Sequence, residues 1–174
     1  MHGILLNVDF VALTERCRTR LAGLDLPRPF DVHALCARIG RLRDRPLALL
    51  EMDLPADSPR GLWISTEQRD YIVYERATTP VHQEHIILHE LAHVLCGHVG
   101  GPELSGEHAR RLFPNLTPGT VQRVLGRGAY SSEEEQEAEL LASMILQQAG
   151  RNRRSSRVTD SSAAENLRRL ESGM

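Results

Sequence analysis

"HIILHELAHVLCGH", residues 85–98, sets four histidines and one glutamate into a stretch that is otherwise mostly apolar. Ile86, Ile87, Leu91, Val94 and Leu95 would cover most of the surface of a helix built from it, so the helix is made for burial. Imidazoles and a carboxylate facing a core are costly unless they are paired or bound to a metal. His89 and His93 are four residues apart and so stand one above the other on the same helix face. That spacing lets two ring nitrogens reach one ion about 2 Å away. Glu90 follows the first of these histidines and projects beside the ion, where it can take a proton from a water that the metal activates. The arrangement is HExxH, here "HELAH", with the glutamate as general base.

A catalytic zinc takes three protein ligands and keeps a position for water. The longer pattern HExxHxxGxxH would need glycine at position 96 and histidine at position 99. This chain has Cys96 and Val99 there, and His98 falls one residue out of register. A better third ligand comes from the acidic segment "EEEQEAELLASMIL", residues 133–146. Glu135, Ala138, Ala142 and Ile145 follow one helical stripe, and the alanines would let this helix lie close against the first and bring Glu135 to the metal. Glu139, one turn on, is spaced to accept a hydrogen bond from a ligand histidine, whereas Glu137 stands above Leu140 and Leu141 on another face. The acids also have an explanation without metal. Ser132 with Glu135, or Ser131 with Glu134, makes a capping box, and only the second leaves Glu135 free.

A tetrahedral oxyanion needs a further donor, for which Tyr130, His98 and an arginine are the candidates. His98 has a second reading, as a cap on the last carbonyls of its helix. His85, one turn before His89, extends the polar face; His82 reads as exposed and Cys96 as a small core residue.

Outward from this helix, Thr79 and Pro80 form an N-cap and first position, and Gly97 lies at the stop. "GLWISTEQRDYIVYE" before it reads as a hairpin, with strands at 61–65 and 70–75. "LALLEMDL", from residue 47, reads as a strand buried on both faces. Two N-terminal helices are expected, one over 9–22 with Phe10, Leu13, Cys17 and Leu21 on one face, and one from the cap Asp31 to Gly40. Further on, "TPGTVQRVLGRG" at 117–128 reads as a short helix. "SSEEEQEAELLASMILQQAG" reads as a helix that stops at Gly150, "RNRRSSR" as a solvated linker, and "SSAAENLRRLE" as a short terminal helix.

With 174 residues the chain can build one domain with a real core. Residues 1–150 are expected to form it, with 1–44 as a helical part and 45–150 as the core, and 151–174 as an arginine-rich tail. The net charge of −2 opposes direct, general nucleic-acid binding. All 21 basic residues are arginine, a compositional bias rather than a site. The three cysteines are far apart and form no CxxC pair. The terminus "MHGILLNVDF" lacks a basic n-region, and no apolar run approaches the roughly 20 residues that span a bilayer. A reducing cytoplasm and no membrane contact are the expectation.

"HELAHVLCGH" followed by "EQEAELLASMIL" resembles the ImmA/IrrE-type metallopeptidases, a gluzincin-like family. The resemblance covers roughly residues 45–147, with Glu135, Ala138, Glu139, Leu141 and Ala142 on the family's second motif. Two positions depart from it: Glu139 stands where Asn or Asp is usual, and Leu141 where an aromatic is common. The resemblance implies an α+β, minimal zincin-like fold, in which a small antiparallel or mixed sheet walls the cleft and packs against the HExxH helix and the acidic helix. It also implies Zn2+ on His89, His93 and Glu135, with Glu90 as base. The implied activity is intracellular, bacterial or phage endopeptidase action on a regulatory protein such as a helix-turn-helix repressor. Two other classes compete: a non-catalytic, zinc-shaped module that docks a repressor or toxin, and a regulator that touches nucleic acid through its arginine-rich ends.

Overall fold

The computed structural model describes residues 3–98, 121–126 and 130–171, with side chains for 10–98 and 130–152. The described residues form an α+β fold. Two helices come first, α1 (Gly3–Ala22) and α2 (Val32–Leu42), then strands β1 (Leu47–Met52), β2 (Gly61–Thr66) and β3 (Asp70–Glu75). Helix α3 (Pro80–Cys96), strand β4 (Val121–Gly126) and helix α4 (Ser132–Glu171) follow. The sheet order is β1-β3-β2-β4, with β1 parallel to β3 and the other two pairings antiparallel.

Local chemistry sets the ends of α3. The Thr79 hydroxyl accepts from the His82 amide, Pro80 needs no amide partner in the first turn, and Gly97 adopts φ 68°. That left-handed turn lets the His98 amide donate to the His93 carbonyl at 3.1 Å, and it folds His98 back over the last turn. On α2, Asp31 accepts from the Ala34 amide as the cap.

Helix α3 lies between the sheet and α4. Ile87, Leu88 and Leu91 share one core with Ile72 of β3, Leu35 of α2 and Leu141 and Ile145 of α4. Ala138 and Ala142 are fully buried in it, and such small side chains permit close helix approach. Helix α1 packs on α4, where Leu13 and Cys17 are buried. Among the described residues no helix is long and apolar enough to cross a membrane.

Four expectations need correction. Strand β1 is a sheet edge against which α2 packs, and only Leu47 on it is buried, with Leu50 and Glu51 exposed. Residues 121–126 form a strand, not a helix: β2 leaves an open row of backbone donors and acceptors, and a segment with Val121 and Val124 suits that edge. Helix α4 runs through Gly150 to Glu171 without the expected linker. A helical glycine costs only about 1 kcal/mol, which the surrounding Ala, Gln, Leu and Arg can absorb. Lastly, α1 begins six residues earlier than expected and Phe10 is exposed. The rest of the expected 117–128 helix lies outside the described residues.

Candidate metal centre

His89 and His93 project from one face of α3, and Glu135 reaches them from the first turn of α4. His89 Nε2 lies 3.2 Å from His93 Nε2 and 3.3 Å from a Glu135 carboxylate oxygen. The three ligand atoms fall within 4.8 Å of one another. Donors on a tetrahedral zinc with bonds of about 2.0–2.1 Å sit about 3.3 Å apart, which the two contacts made by His89 Nε2 match. The other Glu135 oxygen is buried without a hydrogen-bond partner, as is one oxygen of Glu90. Buried orphan acceptors that converge with imidazole nitrogens are what a cation would satisfy.

Glu135 is free to do this because the capping box forms one residue earlier. The Ser131 amide donates to Glu134 at 2.8 Å, and the Glu134 amide donates to the Ser131 hydroxyl at 3.2 Å. Glu139 lies 3.3 Å from His89 Nδ1 and 3.3 Å from His85 Nε2, so it can fix the His89 ring while tethering His85. His82 is exposed and contacts Thr78.

Electrostatics favour neutral imidazoles here, the form a metal binds. Burial, then the neighbouring His89 and His98, pushes His93 down to about 3. Burial also lowers His89, against the pull of Glu135 and Glu139. Glu90 is pushed up to about 8, by burial first and by the Glu135 carboxylate second.

Glu90 fits against β2 because residue 61 has no side chain. A Cβ at Gly61 would stand 2.6 Å from Glu90 Oε1 and 2.7 Å from Ile86 Cγ2. Beside them opens a cleft of about 800 Å³, lined by Arg60, Gly61, His85, Ile86, His89 and Glu90 among others. Its outer wall, the loop between β1 and β2, is anchored by buried Glu75, which accepts from the Arg60 guanidinium at 2.9 Å and the Leu54 amide at 3.3 Å.

Tyr130 stacks on the His93 ring, with centroids 3.6 Å apart and planes at 13°, and its hydroxyl is buried without a partner. Burial, then Glu90 and Glu135, raises its pKa. His98 lies elsewhere. Its Nδ1 is 2.9 Å from His93 Nδ1 and its Nε2 is 3.3 Å from Glu137, on the opposite edge of the His93 ring from the ligand cluster. That position does not suit an oxyanion donor.

Spacing along the sequence missed Glu137. It was aligned with Leu140 and Leu141, yet it is buried against His98 and held by Arg16 and Arg20 of α1. The available signal was the Gly-His pair that ends the HExxH helix, since a left-handed glycine turns the next residue back toward the helix. No protein-family model matches the chain, and no curated protein matches it.

Proposed function

We propose that this chain is a zinc-dependent endopeptidase, with His89, His93 and Glu135 as the metal ligands and Glu90 as the proton carrier. One observation carries the reading. Two imidazole nitrogens and a carboxylate from a distant helix converge within 4.8 Å of one another, with a second carboxylate beside them at an open cleft. A zinc ion bound there would polarise a peptide carbonyl and acidify a water.

The residues of the chain supply the rest. Glu90 is packed against Ile86 and the backbone at Gly61, and a cation on the cluster would offset the burial and the Glu135 charge that favour its protonated form, leaving its free oxygen able to accept the proton of the attacking water. It then returns that proton to the leaving amine. The Tyr130 hydroxyl, buried without a partner on a ring stacked against His93, is the candidate donor to the developing oxyanion. The wall formed by residues 57–61 gives an extended peptide a surface to lie on. The substrate class, a regulatory protein such as a helix-turn-helix repressor, rests on the resemblance to ImmA/IrrE-type metallopeptidases, as does the assignment of a zincin-like fold.

The test uses the zinc-loaded full chain, a peptide library and a purified repressor, with products read by mass spectrometry. Glu90→Gln should keep its zinc and lose cleavage by about 10²–10⁴-fold, the usual contribution of a general base. Undiminished cleavage by that variant would remove Glu90 from the chemistry. A wild-type chain that binds zinc and cuts nothing would favour the docking-module reading.

A further inference from the structure

We infer that His98 is a positioning residue for His93, held in turn by Glu137 and by two arginines of α1, so that a buried chain of contacts aims the His93 Nε2 lone pair at the metal. The inference rests on the zinc reading of the site and adds a role for the N-terminal helix.

The contacts run in one line. Arg16 Nε lies 3.2 Å from Glu137 Oε1 and Arg20 lies 3.7 Å from the same oxygen. Glu137 Oε2 is 3.3 Å from His98 Nε2, and His98 Nδ1 is 2.9 Å from His93 Nδ1. His93 Nε2 then faces His89 Nε2 at 3.2 Å. His93, His98 and Glu137 are all buried, so water does not compete for these atoms.

The placement of hydrogens follows from the partners. A neutral imidazole has one N–H and one bare nitrogen. Glu137, paired with two guanidinium groups, only accepts, so His98 carries its hydrogen on Nε2. Its Nδ1 is then bare, and the short contact to His93 is satisfied only if His93 carries its hydrogen on Nδ1. That leaves His93 Nε2 with a lone pair directed at His89 and Glu135. The reverse assignment would set a bare nitrogen against a carboxylate. With both rings neutral, a single arrangement therefore satisfies the His93, His98 and Glu137 contacts, and it is the one a metal needs. Ligand histidines depend on such outer partners for ring orientation and basicity.

Cys96, His98 and Glu137 could also be taken for a second metal site, since their donor atoms lie within 4.8 Å of one another. The charges oppose it. Two arginines approach the Glu137 carboxylate, and a cation there would meet both. His98 would also have to serve the ion while remaining in contact with His93.

The test is zinc competition against a chromophoric chelator, combined with long-range 1H–15N spectra of the histidine rings in the full chain. In the zinc-free wild type, His93 should carry its hydrogen on Nδ1 and His98 on Nε2. His98→Phe should bind zinc 10–100-fold more weakly at an unchanged stoichiometry of one. His98→Gln, whose side-chain carbonyl can still accept the Nδ1 hydrogen, should recover most of the loss. A hydrogen on His93 Nε2 would overturn the inference even if the variants fail to fold. So would His98→Phe with wild-type affinity, or a second zinc removed by Cys96→Ser. A wild type that binds no zinc would instead sink the metal reading itself, and this role with it.

Discussion

At Gly61 the absence of one carbon decides where the Glu90 carboxylate stands. Glu90 and Ile86 occupy the volume a Cβ would fill, and the end of the Glu90 side chain is what would have to shift. Gly61→Ala should therefore displace the Glu90 carboxylate by a few tenths of an ångström or more while leaving His89, His93 and Glu135, the proposed metal ligands, in place. The expected outcome is zinc binding close to wild type and a fall in kcat/KM of about 10²-fold, the scale on which small misplacements cost rate. Side-by-side zinc titration and peptide kinetics check it, and unchanged kinetics would show that the close packing has no bearing on the reaction. His89, Glu90 and His93 were legible in the sequence because a helix converts a spacing of one and four residues directly into geometry. Gly61 was not. Its role depends on which residue of α3 crosses β2, and only the folded chain specifies that.

Between elements, the loop that walls the cleft depends on Glu75. Its carboxylate accepts from the Ala77 amide at 2.8 Å, the Arg60 guanidinium and the Leu54 amide, and these, led by the Ala77 bond, hold its pKa below the ordinary value of 4.5 despite burial. A depressed folded pKa means stability that is present above 4.5 and is lost as pH falls through the lower folded value. Glu75→Gln should thus lower Tm at pH 7, and the gap to wild type should narrow on acidification. Thermal melts from pH 7 to pH 3 measure this, and a gap that widens toward pH 3 would contradict the sign. The starts of α2 and α3 and the end of α3 were readable in the sequence, since Asp31, Thr79, Pro80 and Gly97 act on neighbours within a turn. Strand β4 was misread for the opposite reason. Its state is set by a partner edge some sixty residues earlier, which local periodicity does not contain.

Across the molecule, α4 ties the parts together. Its first turns give Glu135 to the His89–His93 pair, Glu139 to His85 and His89, and Glu137 to α1 and His98. Three acids on alternate residues thus serve two sides of the same helix. The sequence separated Glu135 from Glu137 correctly but could not say what Glu137 meets, because Arg16 lies 121 positions away. If α3 and α4 share one ion, zinc must also stabilise their packing. Zinc held at about 100 times its dissociation constant should add about 2.7 kcal/mol, or roughly 5–10 °C in Tm for a chain of this size. A melt that ignores both zinc and chelator would deny that linkage.

Equilibrium zinc stoichiometry of the full chain, measured beside His93→Ala and Glu135→Ala, weighs the whole proposal. One ion per wild-type chain, with binding weakened at least 10²-fold in each variant while both remain folded, is the expected result. A wild type without zinc, or a Glu135→Ala chain that holds it as tightly as the wild type, would mean that the three side chains meet for some other reason.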